Sequence, residues 1–123
     1  MAGGGAVGAV ARYLVNVLAG QLLGPDFPFG TLIVNIVGSF LMGLLVEAMA
    51  LVWSASQEAR LFLTVGALGA FTTFSTFSLD VAVLYERGRP VLVATYIVVS
   101  VICSIGALFA GLHVMRRILA PVM

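Results

Sequence analysis

Leu61-Phe62-Leu63-Thr64-Val65-Gly66-Ala67-Leu68-Gly69-Ala70-Phe71-Thr72-Thr73-Phe74-Ser75-Thr76-Phe77-Ser78-Leu79 runs without a charge from Arg60 to Asp80. Its length suits a membrane crossing, which takes roughly 20 apolar residues. Its middle does not suit a regular helix: Thr72, Thr73, Ser75, Thr76 and Ser78 crowd around Phe74 and Phe77, with Gly66 and Gly69 just ahead of them. Ser and Thr hydroxyls compete with the backbone for hydrogen bonds, and glycine lowers helical preference further. A membrane helix broken at this point is expected. Such a break is tolerated only where protein or a site covers it, and it frees carbonyls from one half-helix and N–H groups from the other. Freed carbonyls suit a hard cation such as sodium, and freed N–H groups suit an anion.

Working outward, charge positions divide the chain into four spans in one transmembrane domain, residues 1–123. They cover about residues 2–23, 30–53, 61–85 and 90–115, with Gly24, Pro25 and Asp26 as a turn, Trp53 at the interface, Pro90 opening the fourth span, and Arg116 and Arg117 anchoring its end. Short connections leave no room for an extramembrane domain. At 62% hydrophobic and 9% charged, the 123 residues carry more apolar surface than so short a chain can hide within itself, so lipid must cover it. An all-α membrane protein is the expected fold class. No basic leader precedes the first apolar stretch, so insertion is expected through the spans themselves.

Charge excludes other classes. Six arginines against five acids give a net charge of +1 with no basic patch for nucleic acid. Counted by face, Arg60, Arg116 and Arg117 stand against Arg87 and Arg89, with Arg12 inside the first span. So slight a bias lets a chain insert both ways and assemble antiparallel with itself, or lets a partner orient it. Cys103 reads as a small apolar helical residue, and His113 is solitary, so neither metal binding by these side chains nor an enzyme is expected.

Two further polar stripes flank the broken span. Thr31, Asn35 and Ser39 recur every fourth residue, beside Gly38 and Gly43; Tyr96, Ser100 and Ser104 do the same on the fourth span. Either stripe alone reads first as helix-packing glue and only second as an ion path. Phe74 and Phe77, about 60° apart around a helix axis, either fill packing space or offer their positive ring edges to an anion.

At these residues the chain resembles the Fluc/CrcB family of fluoride channels. The similarity is carried by Gly4-Gly5-Ala6-Val7-Gly8-Ala9 with Arg12-Tyr13, by Gly30-Thr31, Val34-Asn35 and Gly38-Ser39-Phe40, and by Gly66 with Gly69-Ala70-Phe71-Thr72-Thr73-Phe74-Ser75-Thr76-Phe77. The resemblance implies an antiparallel, dual-topology homodimer in the bacterial inner membrane, passing fluoride out of the cell passively. It implies a pore formed by Asn35, Phe74, Phe77, Thr76, Tyr96, Ser100 and Ser104. It also implies a structural, non-transported sodium ion held by the backbone carbonyls of Gly69 and Thr72. An acidic vestibule residue falls at Asp80, and a hydroxyl expected further along the fourth span is Leu108 here. The leading alternative is a small dual-topology multidrug or cation antiporter. It would want a mid-membrane acid, whereas the first span carries Arg12 and Glu47 lies toward a span end. A non-transporting assembly subunit would explain the small residues but not the Thr-Thr-Phe-Ser-Thr-Phe cluster.

Overall fold

A computed structural model of the chain describes residues 2–24, 27–51, 56–72 and 74–120, and of Ala70, Ser75 and Thr76 it describes the backbone alone. Pro25, Asp26 and Trp53, assigned above to a turn and to the interface, lie outside the described residues. Nearly all of the described chain is helical and no strand occurs within it. Three helices are long and apolar enough to cross a membrane: α1 (Ala2–Leu23), α2 (Phe29–Leu51) and α6 (Pro90–Leu119). The stretch expected as a third span is built in pieces. A single turn, α3 (Gln57–Arg60), leads into a π-helical segment (Leu61–Leu68), then α4 (Gly69–Phe71), and after a break the chain resumes as α5 (Phe74–Glu86).

Local chemistry sets the ends of these elements. The Ser56 hydroxyl accepts from the Ala59 N–H at 3.1 Å and caps α3. Beyond α5, Gly88 takes a left-handed φ of 72°, with its N–H on the Tyr85 carbonyl at 3.0 Å and the Arg89 N–H on the Leu84 carbonyl at 3.2 Å. That pair of bonds is a Schellman closure, which needs a residue free of Cβ strain at this position. Pro90 then opens α6 at its first position, where a missing N–H costs nothing.

Glycines set the order of the bundle. A Cβ at Gly43 would collide with the Leu108 carbonyl oxygen of α6, and one at Gly111 with the Phe40 carbonyl oxygen of α2. The two helices thus meet backbone to backbone, and theirs is the most extensive contact in the molecule. Thr31 lies beside Tyr96, Gly43 beside Leu108 and Gly111, and Glu47 is paired with Arg116, so α2 and α6 run in the same direction. The chain between them must therefore return across the full height of the bundle, and residues 57–86 make that return. In the same way Gly4 and Gly8 of α1 admit the backbone of Phe62 and Ala67, so α1 runs parallel to the π-helical segment.

The Glu47–Arg116 pair closes one end of the α2–α6 contact, with Nε to Oε1 at 3.1 Å. Glu47 is nearly buried while Arg116 keeps its head exposed, which suits an ion pair at a helix end near the membrane surface. At the other end, Phe77, Leu84 and Tyr96 form the buried apolar cluster that joins α5 to α6, with Phe27, Leu32, Val81, Leu92 and Val93 packed around it. Val34 of α2 is also fully buried, but many other apolar side chains face outward. Val7, Val10 and Leu14 on α1 and Val98, Ile102, Ile105 and Phe109 on α6 are exposed, as expected of surfaces that meet lipid or another chain. Cys103 is helical as read from the sequence, and it sits on this outer side.

Candidate functional site

The break in the third stretch falls at Thr72, whose backbone is extended at φ −86°, ψ 155° between α4 and α5. Its N–H and its hydroxyl both donate to the Leu68 carbonyl, each at 3.0 Å, so the last helical turn closes on a single acceptor. This is the competition between Thr hydroxyl and helix ladder that the sequence pattern led one to expect. Thr72 is seated against α2 at its waist: a Cβ on Gly38 would strike the Thr72 methyl group and crowd the Phe71 ring. Gly38 is therefore the residue that lets the break sit inside the bundle.

An open cleft of about 420 Å³ lies at this level. Asn35 and Ser39 of α2, Gly69 and Thr72 at the break, Phe74 and Phe77 of α5, and Ser100 and Ser104 of α6 all line it. Three sequence-distant stripes thus converge on one space, because the tight α2–α6 contact at Gly43 and Gly111 aligns two of them and the break lays the third across them. Neither the Ser100 nor the Ser104 hydroxyl oxygen has a protein hydrogen-bond partner, although both are buried. A hydroxyl left so costs about 1–3 kcal/mol relative to a paired one, and each can turn a donor toward the cleft. The Phe74 and Phe77 rings stand 5.5 Å apart, centre to centre, at 47°. They are not equivalent. Phe77 is packed inside the chain at 8% exposure, whereas Phe74 stands 77% exposed at the rim.

Tyr96 does not line the cleft. It is completely buried, its ring 5.0 Å from Phe77 and its hydroxyl donating to Asp80 at 3.0 Å. Asp80 belongs to a second cavity of about 330 Å³, bordered by Asn16, Phe27, Thr31, Asp80, Leu84 and Arg87 among others. Tyr96 is thus a partition, with one space on the Phe77 side and another on the Asp80 side. The α2 stripe passes both, Thr31 facing the second cavity and Asn35 and Ser39 the first. Leu108, at the end of the α6 stripe, lies where its carbonyl abuts Gly43, in the helix crossing and away from the cleft. The side chain of Thr76 lies outside what is described.

Sequence reasoning missed Val101 and Ile105, which give the cleft an apolar wall, and gave Ser39 no part in the site although its spacing from Asn35 placed it on the same face. It also passed over Asn16 and Phe27 of the second cavity. Phe27 is in a connection, where no periodicity points to it. Among the described residues no group of three or more His, Cys, Asp or Glu side chains is placed to hold a metal ion. A cation at the break would have backbone oxygens to meet it. With ψ at 155°, the Thr72 carbonyl is turned away from the direction it would take in a helix, which fits the oxygen-only preference of a hard cation.

Comparison with known proteins adds the family. Residues 1–112 match the family described as CrcB-like protein, Camphor Resistance (CrcB). The chain is 58% identical over 118 residues to a protein of Agrobacterium fabrum named fluoride-specific ion channel FluC, covering 96% of this chain and 94% of that one. Proteins of the same name from Chelativorans sp. and Nitrobacter winogradskyi are 58% and 52% identical over 116 and 118 residues. The first alignment covers 94% of this chain and 93% of its relative, the second 96% and 94%.

Proposed function

This chain belongs to the CrcB-like family, and from that premise we propose that it is a fluoride-selective channel that lets the ion leave the cell passively and so protects against fluoride toxicity. It is a multi-pass membrane protein of a channel family and not an enzyme. The observation that carries the proposal is the cleft where Asn35, Ser100, Ser104 and the Phe74 and Phe77 rings converge. Fluoride is small and strongly hydrated, so a path for it must replace that shell without holding the ion too firmly to release it. An amide, two hydroxyls and two ring edges are weak donors placed in series. Rigid rings at the same place disfavour a larger anion such as chloride.

The working unit we propose has four spans, the third being the broken stretch 57–86, and is an antiparallel homodimer in a bacterial inner membrane. The parallel course of α2 and α6 supports the fourth crossing, since the chain has to come back between them. The balanced arginines and the wide outward apolar surfaces support self-association in both orientations. Helices rather than barrel strands also suit an inner membrane. A structural sodium ion is proposed at the Gly69 and Thr72 carbonyls, where it would offset the negative carbonyl end of the half-helix that stops at the break and hold the break in place.

Liposomes containing the purified protein are expected to lose fluoride far faster than chloride, with no proton gradient. Equal efflux of the two anions would sink the channel reading, and a strict need for a proton gradient would favour the antiporter. Replacing sodium throughout by a large organic cation is expected to lower the fraction of assembled dimer. A tag on the C-terminus should be reachable from both sides of intact cells; tags confined to one side would exclude dual topology.

A further inference from the structure

Four aromatic rings form an unbroken row through the partition. Phe74 stands 5.5 Å from Phe77, Phe77 5.0 Å from Tyr96, and Tyr96 5.4 Å from Phe27. The first two rings line the cleft and Phe27 lines the second cavity, so the row links the two spaces and Tyr96 alone belongs to neither. The last contact differs in geometry. Phe27 and Tyr96 meet edge to face at 85°, while the other two pairs are tilted near 45°. An edge-to-face pair fixes the orientation of a ring more closely than contact area alone, because the positive edge of one ring seeks the negative face of the other.

We infer that Phe27 is a positioning residue for fluoride passage, fixing the Tyr96 phenol at the partition between the two cavities. This rests on the channel reading. Tyr96 lies between Phe77 of the cleft and Phe27 of the second cavity, and its hydroxyl is held on Asp80 at 3.0 Å, so on that reading the phenol sits beside the way from one space to the other. Phe77 and Tyr96 are buried on α5 and α6, but Phe27 comes from the connection between α1 and α2, with Phe29 4.8 Å away. It is the one neighbour in the row that belongs to no helix. With an aliphatic side chain in its place, the phenol keeps its apolar surroundings and loses the contact that aims it.

Fluoride efflux per assembled protein is to be compared for wild type, Phe27→Leu, Phe27→Trp, Tyr96→Phe and the Phe27→Leu/Tyr96→Phe double variant. Contacting residues couple strongly enough that Phe27→Leu should lower flux about tenfold. Phe27→Trp, which restores a ring edge, should recover most of it. In the Tyr96→Phe background no hydroxyl is left to aim, so adding Phe27→Leu should cost little more. Losses that multiply in the double variant, or failure of Trp to rescue a folded protein, would show that Phe27 only packs. A wild type that passes no fluoride overturns the channel reading and this inference with it; a conducting wild type matched by Phe27→Leu overturns the inference alone.

Discussion

Phe74→Ile should reduce fluoride flux through the assembled protein by about tenfold or more, since a ring-edge contact is worth about 0.5–1.5 kcal/mol and counts for more in a dry space. The structure makes this the cleaner of the two ring substitutions. Phe77 is packed against Tyr96 at 5.0 Å, so Phe77→Ile also disturbs the core and its loss of flux mixes two causes. Phe74 is 77% exposed within its own chain, and a volume-similar aliphatic residue there removes little intrachain packing. If Phe74 served only as apolar bulk, isoleucine would serve as well, and flux per assembled protein would be unchanged. A fall in flux with assembly intact, measured by efflux and by size-exclusion of the same preparation, assigns the effect to the ring itself. Flux that falls only in step with the amount of assembled protein would place Phe74 in assembly and not in the path.

The largest effect on stability is expected from a single methyl group. Gly43→Ala puts a Cβ into the Leu108 carbonyl oxygen at the α2–α6 crossing, where the obstacle is backbone and has no rotamer to turn aside. Overpacking of this kind costs about 1–3 kcal/mol, at times more. Separating the helices would also splay the stripes that Asn35 and Ser104 belong to and weaken the Glu47–Arg116 pair beyond the crossing. Gly106→Ala is the matched control, because a Cβ there meets nothing within 4 Å. Alanine in an open helical position gains up to about 1 kcal/mol over glycine. Thermal unfolding in detergent should therefore fall for Gly43→Ala and hold or rise for Gly106→Ala. Equal behaviour of the two would mean that α2 and α6 do not approach as closely as described.

Much of this was legible in the residues alone. The mean apolar content, the uncharged intervals and the short connections demanded membrane helices, because a chain of 123 residues has no interior large enough for its own apolar side chains. The Thr72-to-Ser78 cluster marked the broken span, since hydroxyls compete with the helix ladder locally and need no tertiary partner to do so. Periodicity put Asn35 with Ser39 and Ser100 with Ser104 on single faces, because helical spacing alone decides which residues share a face.

Which faces meet is a different question, and only packing answers it. The approach at Gly43 and Gly111 set α2 against α6 and so brought two separate stripes to one cleft. The same packing divided residues that share a stripe. Tyr96 and Ser100 are one turn apart, yet Tyr96 is fully enclosed with its hydroxyl on Asp80 while Ser100 lines the cleft. Likewise Phe74 and Phe77 share a motif but differ nearly tenfold in exposure, 77% against 8%, because α6 covers one and leaves the other. Phe27 shows the limit most sharply. Sitting outside every helix, it carries no periodic signal, and its place beside Tyr96 arises only when Phe27 packs against the first turns of α6. Local chemistry is written in short stretches of chain; the neighbours of a side chain are fixed by backbones that meet across the bundle.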